Sequence, residues 1–369
     1  MHYIVLTGAL KNVGDYLIAK RAKDLIAYHK PGIEIIDISR YESLDDKLEL
    51  INSSNGVILA GGPGYRKNMY PSIFKLTNNL NDIKVPIISM AMGWRGFPGD
   101  DENVYKYSYD NKSMEFLKRS SNDYYLGCRD YLTARTLVNN GLTNTLMTGC
   151  VAWYDMEYVN KEYIIDDKVE SVVFSNPAEI KNNKQAIKVI NIIKKKYPNA
   201  KLYCAFHRGI NVDEFTSKEE AKAMLLLKEE AEKIGYEILD LSHNLDSMKI
   251  YDETDLHIGY RVHAHIYCIS HHKKSILIEE DGRGRGVNEA MGLYGVKARQ
   301  RVLSMPSISY KNKILNKLLS KTSENSNAID NLSNYIDELK ASKYKNIEVA
   351  FVTVRNTYKQ MEKFLNSLP

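Results

Sequence analysis

Cysteine is scarce: the 369-residue chain carries four, Cys128, Cys150, Cys204 and Cys268, and none stands in CxxC spacing. That argues against a disulfide framework and, without paired ligands, against a zinc site. The four read as buried, reduced thiols. No apolar run approaches the roughly 18–20 residues of a membrane span. The opening Met1-His2-Tyr3-Ile4-Val5-Leu6-Thr7-Gly8 lacks a basic region, and its apolar stretch is short for a signal peptide. It reads as a first strand. The expectation is a cytoplasmic protein, with the inner face of the membrane as a candidate place of work. No HExxH, EF-hand or G-x-S-x-G pattern occurs, which disfavours metal catalysis and serine hydrolysis. An excess of one charge is missing as well: 51 Lys+Arg against 46 Asp+Glu leave a net +5. Without local clustering that is no argument for nucleic acid. Internal repeats are absent too.

Hydrophobic residues make up 44% and charged residues 26%, the balance of a globular chain rather than a disordered one. At about 100–200 residues per domain, the length suggests two domains. Strands are expected over 3–6, 33–38, 57–60, 86–90, 123–128 and 145–148, with a helix over 15–29. After a polar, acidic break at 155–170 a second series follows. Its strands are expected over 171–175, 201–206, 237–241, 256–259 and 275–279, and its helices over 184–196, 217–234, 263–270 and 287–293. Such alternation argues for an α/β chain with parallel sheets. We expect two Rossmann-like domains, 1–160 and 161–305, separated by a cleft, with a helical tail, 306–369, bracing the pair. In open α/β sheets ligands bind beyond the carboxyl ends of the strands. The loops there carry the candidate residues.

Arg261 and His263 follow the strand ending at Gly259 and open the next helix. A guanidinium and an imidazole at a helix N-terminus make a focused anion site. The plainer reading pairs Arg261 with Asp255 and leaves His263 as a cap. In the run Glu279-Glu280-Asp281-Gly282-Arg283-Gly284-Arg285-Gly286, Gly284 would let backbone amides approach an anion that Arg283 and Arg285 clamp. Alternatively, it is a solvated loop whose charges pair with each other. Arg208, after the strand at 201–206, could add charge to the same cleft. On the other side, Asn12 and Asp15 could hold sugar hydroxyls or cap the first helix. Gly61-Gly62-Pro63-Gly64 is a second close-approach loop on that edge, whereas Gly8 and Gly14 do not match the dinucleotide fingerprint. Arg129-Asp130 reads as a structural pair where the domains meet.

In order, Asn12-Val13-Gly14-Asp15, Gly61-Gly62, Arg129-Asp130 before a helix and a glycine, and Gly259-Tyr-Arg-Val-His263 resemble the GNxGD, glycine-rich and G-x-R-x-H motifs of the polysaccharide pyruvyl transferase family. The resemblance runs over most of residues 1–300. It implies a GT-B-like fold. It also implies transfer of a pyruvyl group from phosphoenolpyruvate to two hydroxyls of a cell-envelope or extracellular polysaccharide sugar, giving a cyclic ketal and phosphate. No cofactor or metal is implied beyond that donor substrate. On this reading Arg261, His263, Arg283, Gly284, Arg285 and Arg208 bind the donor, and His263, with Arg261, is catalytic. Asn12, Asp15, Gly61 and Gly62 face an oligosaccharide or lipid-linked acceptor. Peripheral membrane association is a further candidate, and the oligomeric state stays open. Two departures stand out. The stretch Val173-Phe174-Ser175-Asn176-Pro177 lacks an arginine that family members often carry there, and a third glycine is displaced by Pro63. The alternatives are a GT-B nucleotide-sugar glycosyltransferase, with Glu279 or Glu280 on a ribose, and a non-catalytic sugar- or phosphate-binding module.

Overall fold

The computed structural model describes residues 1–96, 103–302 and 322–369, so the first part of the expected tail, 306–321, lies outside the described residues. The chain opens with β1 (His2–Thr7), α1 (Val13–His29), β2 (Glu34–Ser39), α2 (Leu48–Asn52), β3 (Gly56–Ala60), α3 (Met69–Ser72) and β4 (Ile87–Met90). It continues with α4 (Asn103–Lys106), α5 (Asn111–Ser121), β5 (Leu126–Cys128), α6 (Tyr131–Asn139) and β6 (Thr145–Met147). β1 pairs in parallel with β2 and β3, and β3 with β4, giving the order β2-β1-β3-β4. A bridge between Met92 and Cys128 leads on to the parallel pair β5-β6.

The second half repeats the plan with β7 (Ser171–Ser175), α7 (Asn183–Lys196), β8 (Lys201–Phe206), α8 (Lys218–Lys233), β9 (Glu237–Asp240), β10 (Leu256–Gly259), α9 (Val262–Ser270), β11 (Lys274–Glu279), α10 (Gly282–Met291) and β12 (Val296–Lys297). Its parallel sheet runs β12-β11-β10-β7-β8-β9. Two further strands, β13 (Arg299–Arg301) and β14 (Thr322–Glu324), pair antiparallel before α11 (Ala328–Ala341) and α12 (Glu348–Asn366). These are two Rossmann-like domains. Strands such as Tyr3–Leu6 and Gly56–Ala60 are buried throughout, as parallel strands covered on both faces require. α1 follows from a 3.6-residue stripe: Leu17, Ile18, Ala22, Leu25 and Ile26 face the core. Burying each of the larger four is worth about 1.5–3 kcal/mol, as an upper bound.

Strand order changes direction between β1 and β3 in the first domain and between β7 and β10 in the second. At such switch points the loops beyond the strand ends diverge and leave a crevice. The loop after β1 meets the loop after β8 directly: the Val13 N–H donates to the His207 carbonyl at 3.2 Å. α1 and α9 run side by side in the same direction, in contact at Gly14 with His263 and again at Arg21 with His271. Both helix N-termini therefore face the cleft. The last helix touches both domains. Tyr358 contacts His29 (2.9 Å between Oη and Nε2), and Phe351 packs on Tyr163 with ring centres 5.0 Å apart.

One sequence expectation needs correction. The segment read as a glycine–arginine loop before a helix at 287 is itself helical from Gly282. Asp281 caps it, accepting from the Arg283 N–H at 2.9 Å. The glycines serve close packing rather than an open anion loop. A Cβ at Gly282 would stand 3.0 Å from the Gly96 backbone, and one at Gly286 would stand 2.7 Å from the Asp130 carboxyl carbon. These two positions share a face, four residues apart, and let α10 dock on the first domain. Gly284 faces its own sheet, where a Cβ would lie 3.3 Å from the Glu279 backbone. It is not turned toward the cleft as the donor-binding expectation required.

Candidate active site

Arg261 is the N-cap residue of α9 and is buried. Its backbone N–H donates to Ser175 Oγ at 3.1 Å, its Nε to the Asn176 carbonyl and Oδ1 at 3.0 Å each, and its Nη2 to the Pro177 carbonyl at 3.1 Å. The loop after β7 thus aims the guanidinium without neutralising it. Asp255 is not its partner: that carboxylate accepts from the backbones of Glu170 and Ser171. Burial lowers the Arg261 pKa from 12.5 to about 10, with Glu280 opposing and Arg208 and Arg283 adding to the shift. It stays a cation at neutral pH. Among the described residues its Nη1 makes no hydrogen bond.

His263 lies in the first turn of α9, and its side chain makes no hydrogen bond among the described residues. Its ring is packed on Gly14, at the N-terminus of α1, where any Cβ would overlap the imidazole. Burial, followed by the charges of Arg129, Arg283 and Arg261, lowers its pKa from 6.5 to about 3. The resting imidazole is therefore neutral. A proton donor at this place needs an anion beside the ring to offset those charges.

Next to Gly14 stands Asp15. Burial raises its carboxyl pKa, against a hydrogen bond from Asn12 Nδ2 (3.1 Å) and the charges of Arg40, Arg283 and Arg208. Asn12 sits at the N-cap position of α1 yet makes no side-chain cap, and its Oδ1 is buried without a partner. Gly61 and Gly62 both have positive φ, +56° and +70°, in the turn after β3. A Cβ on Gly61 would press on Ile18 of α1, and one on Gly62 would meet Arg40 at 3.3 Å. They shape the cleft wall through backbone geometry.

The remaining predicted donor residues divide. Arg283 is gripped by its own cap: Nε donates to both oxygens of Asp281 (3.0 and 2.9 Å) and Nη2 lies 2.8 Å from Oδ2. That pairing raises its pKa despite burial. It contributes field to the cleft, as its effects on Asp15 and His263 show, but its fork is occupied. Arg285 reaches Glu289 at 3.8 Å, the carboxylate that also pairs with Arg135 of α6, so it lies on another side of α10. The expectation that Arg283 and Arg285 clamp the donor together is corrected by these pairings. Arg208 is exposed, donates to the Phe215 carbonyl at 3.0 Å, and still acts on Asp15 and Arg261. Arg129 and Asp130 form the buried pair expected at the domain junction (3.0 Å), with Asp130 capping α6.

The acids that a nucleotide-sugar reading would place on a ribose are engaged. Glu280 accepts from the backbones of Ala178 and Glu179 and from Asn182, and Glu279 accepts from Asn288 at 2.9 Å. The four cysteines are free and buried, and burial raises the Cys128 thiol well above its usual range, away from a nucleophile's role. Sequence reasoning missed Arg40, Arg66 and Arg95, which reach the cleft from beyond the ends of β2, β3 and β4. Their positions just past strand ends were the signal. Arg95 crosses the cleft to Glu179 (2.9 Å) and Asp281 (3.5 Å).

A family model described as polysaccharide pyruvyl transferase matches residues 12–282, well over half the chain. No curated protein sequence matches. Among solved structures, the UDP-GlcNAc 2-epimerase of Neisseria meningitidis bound to UDP-GlcNAc is similar at 11% identity and a TM-score of 0.54, covering 99% of this chain and 100% of that one. The S. aureus MnaA–UDP structure is similar at 10% identity and a TM-score of 0.53, covering 99% and 97%. At such identities the likeness is one of fold: two Rossmann-like domains in the GT-B-like arrangement.

Proposed function

The chain belongs to the polysaccharide pyruvyl transferase family, and on that premise we propose that it transfers a pyruvyl group from phosphoenolpyruvate to two hydroxyls of a sugar in a cell-envelope or extracellular polysaccharide, or its precursor. The observation that carries this reading is the pairing of a buried, aimed Arg261 with a neutral His263, whose ring has no hydrogen-bond partner among the described residues, at two converging helix N-termini. A small, highly charged donor suits such a place, because oriented amides and a fixed cation hold it with little rearrangement.

On this reading the phosphate and carboxylate of the donor offset the charges of Arg261, Arg129 and Arg283, which hold the imidazole neutral. His263 then takes up a proton as the donor arrives and gives it to the methylene carbon. The π electrons of the enol form the new C–H bond, and the adjacent carbon becomes oxocarbenium-like. An acceptor hydroxyl attacks that carbon, and its proton passes to Asp15, made more basic by burial. The C–O bond to phosphate breaks with its electron pair leaving on phosphate, and the second hydroxyl closes the ketal as its proton passes to the imidazole of His263, neutral again after protonating the methylene carbon. Arg261 supplies charge to the departing group.

The test is incubation with phosphoenolpyruvate and a panel of hexose and N-acetylhexosamine acceptors, free and linked. Phosphate release coupled to a mass gain of a pyruvyl ketal is expected. Binding of phosphoenolpyruvate that His263→Ala leaves within about tenfold, with turnover lowered to a residual rate about 10²–10⁴-fold below wild type, is the matching signature. No product across the panel, or unaltered turnover in the variant, would overturn the assignment.

A further inference from the structure

The proposed reaction leaves unexplained two arginines on the first domain's wall. Arg40 directly follows β2, and Arg66 follows the Gly61-Gly62-Pro63-Gly64 turn after β3. The Arg40 guanidinium lies across Gly8, where a Cβ would come within 2.6 Å of its Cζ, and its Nη1 would be 3.3 Å from a Cβ on Gly62. Two glycines at neighbouring strand ends thus make room for one cation. The ring of Tyr41 flanks it at 4.9 Å and that of Phe74 at 5.9 Å, and Nη2 donates to Tyr41 Oη at 2.7 Å.

The Nε groups of Arg40 and Arg66 are both buried with no hydrogen-bond partner. Among the described residues neither arginine makes an ion pair. Their neighbours differ: Arg95 is paired with Glu179, Arg129 with Asp130 and Arg283 with Asp281. Buried N–H groups are satisfied in the great majority of cases, and a charged one left unmade is costly. The acid that Arg40 acts on is Asp15, already held by Asn12. Burial, then Arg95, Arg283 and Arg40, lowers the Arg66 pKa, so like charges are crowded here. An incoming anion would relieve both deficits at once.

We propose that Arg40 and Arg66 form an anion subsite on the first domain that holds the phosphoester or diphosphoester group of the acceptor, while its sugar reaches His263. Guanidinium forks match phosphate oxygens, which a neutral sugar's hydroxyls cannot replace in charge. The word acceptor rests on the pyruvyl-transfer reading; the anion subsite itself does not. A diphosphoester could come from a nucleoside-linked or a polyprenyl-linked sugar, and the chemistry at these two arginines is the same for both.

The test is calorimetric titration of the full chain with inorganic pyrophosphate, alone and with saturating phosphoenolpyruvate. Wild type is expected to bind pyrophosphate in both cases. Arg40→Gln and Arg66→Gln should each weaken pyrophosphate by about tenfold or more and leave phosphoenolpyruvate within about threefold. Replacing the pair together should abolish pyrophosphate binding, with melting curves confirming the fold. One-for-one exclusion of pyrophosphate by phosphoenolpyruvate, or variants that bind pyrophosphate as wild type does, would overturn the subsite. Loss of pyrophosphate binding in the variants of a protein that ignores phosphoenolpyruvate would sustain the subsite and remove the donor assignment instead. A UDP-hexose and a short-chain polyprenyl-diphosphate hexose, compared with the free hexose, then identify the source. The true source gains at least tenfold over free sugar and loses that gain in Arg40→Gln. Equal binding of all three overturns the acceptor assignment.

Discussion

A single methyl group added at Gly14 tests the contact between the two domains' helices at the reacting centre. A Cβ there would stand 2.7 Å from both Cβ and Cγ of His263 and closer still to Nδ1. Carbon atoms pack at about 3.5–4.0 Å, so roughly 1 Å must be given up. α1 is poorly placed to yield it. Val13 donates its N–H to the His207 carbonyl, and Leu17 and Ile18 are buried behind it. The imidazole is the softer partner, since no hydrogen bond among the described residues holds it. Gly14→Ala therefore moves the ring. The helix gains up to about 1 kcal/mol from the better helix former, against about 1–3 kcal/mol for overpacking. The net loss of stability is then no more than about 3 kcal/mol. Rate suffers as well, because a misplacement of about 1 Å costs on the order of 100-fold, or about 2.7 kcal/mol. The expected result is phosphate release slowed about 100-fold, phosphoenolpyruvate affinity within a few-fold, and a melting temperature lowered by a few degrees at most. A double-mutant cycle sharpens it: in a His263→Ala background Gly14→Ala should cost nothing further in rate. A folded Gly14→Ala enzyme turning over within threefold of wild type would refute the placement of the imidazole at the reaction, as would full additivity with His263→Ala.

Three further predictions follow from the same geometry. Because the resting His263 has its pKa near 3, donor binding at pH 7 should draw about one proton from solvent. Titration in two buffers of different ionisation enthalpy should show that uptake in wild type and its loss in His263→Asn, and equal values would remove the proton donor. On the far side of α1 and α9, His271 Nδ1 lies 2.6 Å from Asp252 and its Nε2 3.1 Å from Asp155, with the Arg21 guanidinium 2.8 Å from Nε2 opposing the ring's charge. Burial alone would lower its pKa, but these carboxylates raise it above 6.5, so its stabilisation is full below about pH 6.5 and fades as pH rises through the folded-state value. His271→Gln should therefore lower stability by up to about 3 kcal/mol at pH 6 and by clearly less at pH 9, and an unchanged melting deficit across that range would contradict the latch. Gly286→Ala places a Cβ 2.7 Å from the Asp130 carboxyl carbon. It should cost about 1–3 kcal/mol and widen the cleft, seen as a larger radius of gyration by solution scattering; an unaltered melt and radius would show that the junction yields elsewhere.

The strands were readable because burial on both faces leaves uninterrupted apolar runs, such as Ile4-Val5-Leu6 and Val57-Ile58-Leu59. Helix ends were readable where local chemistry marks them: Ser217 and Glu220 form a reciprocal capping box, and Gly235 follows that helix with φ at +90°. Asp281 carries the same kind of signal and was passed over, because the glycines after it suggested a loop. Glycine is a poor helix former, but here Asp130 leaves no room for a Cβ at 286, and Gly96 and Glu279 make one tight at 282 and 284. Tertiary packing decided the residue type, and no local pattern carries that information.

The charges in the cleft follow a similar rule. An arginine's presence can be read from one line of sequence, but its availability depends on what surrounds it. Arg283 stands two residues from the acid that occupies it, so its pairing with Asp281 was locally visible. Arg261 is different. Its side-chain hydrogen bonds go to Asn176 and Pro177, some 85 positions away in the chain, and these engage Nε and Nη2 without cancelling its charge. Arg40 and Arg66 present the extreme case. What sets them apart is that no acid among the described residues forms an ion pair with either, at three parallel strand ends brought together by the sheet order β2-β1-β3-β4. Electrostatic work in this cleft thus falls to cations that the fold has oriented and left unbalanced, while the arginines that look most conspicuous in sequence, Arg283 and Arg285, pair with acids at the cap and in the body of their own helix.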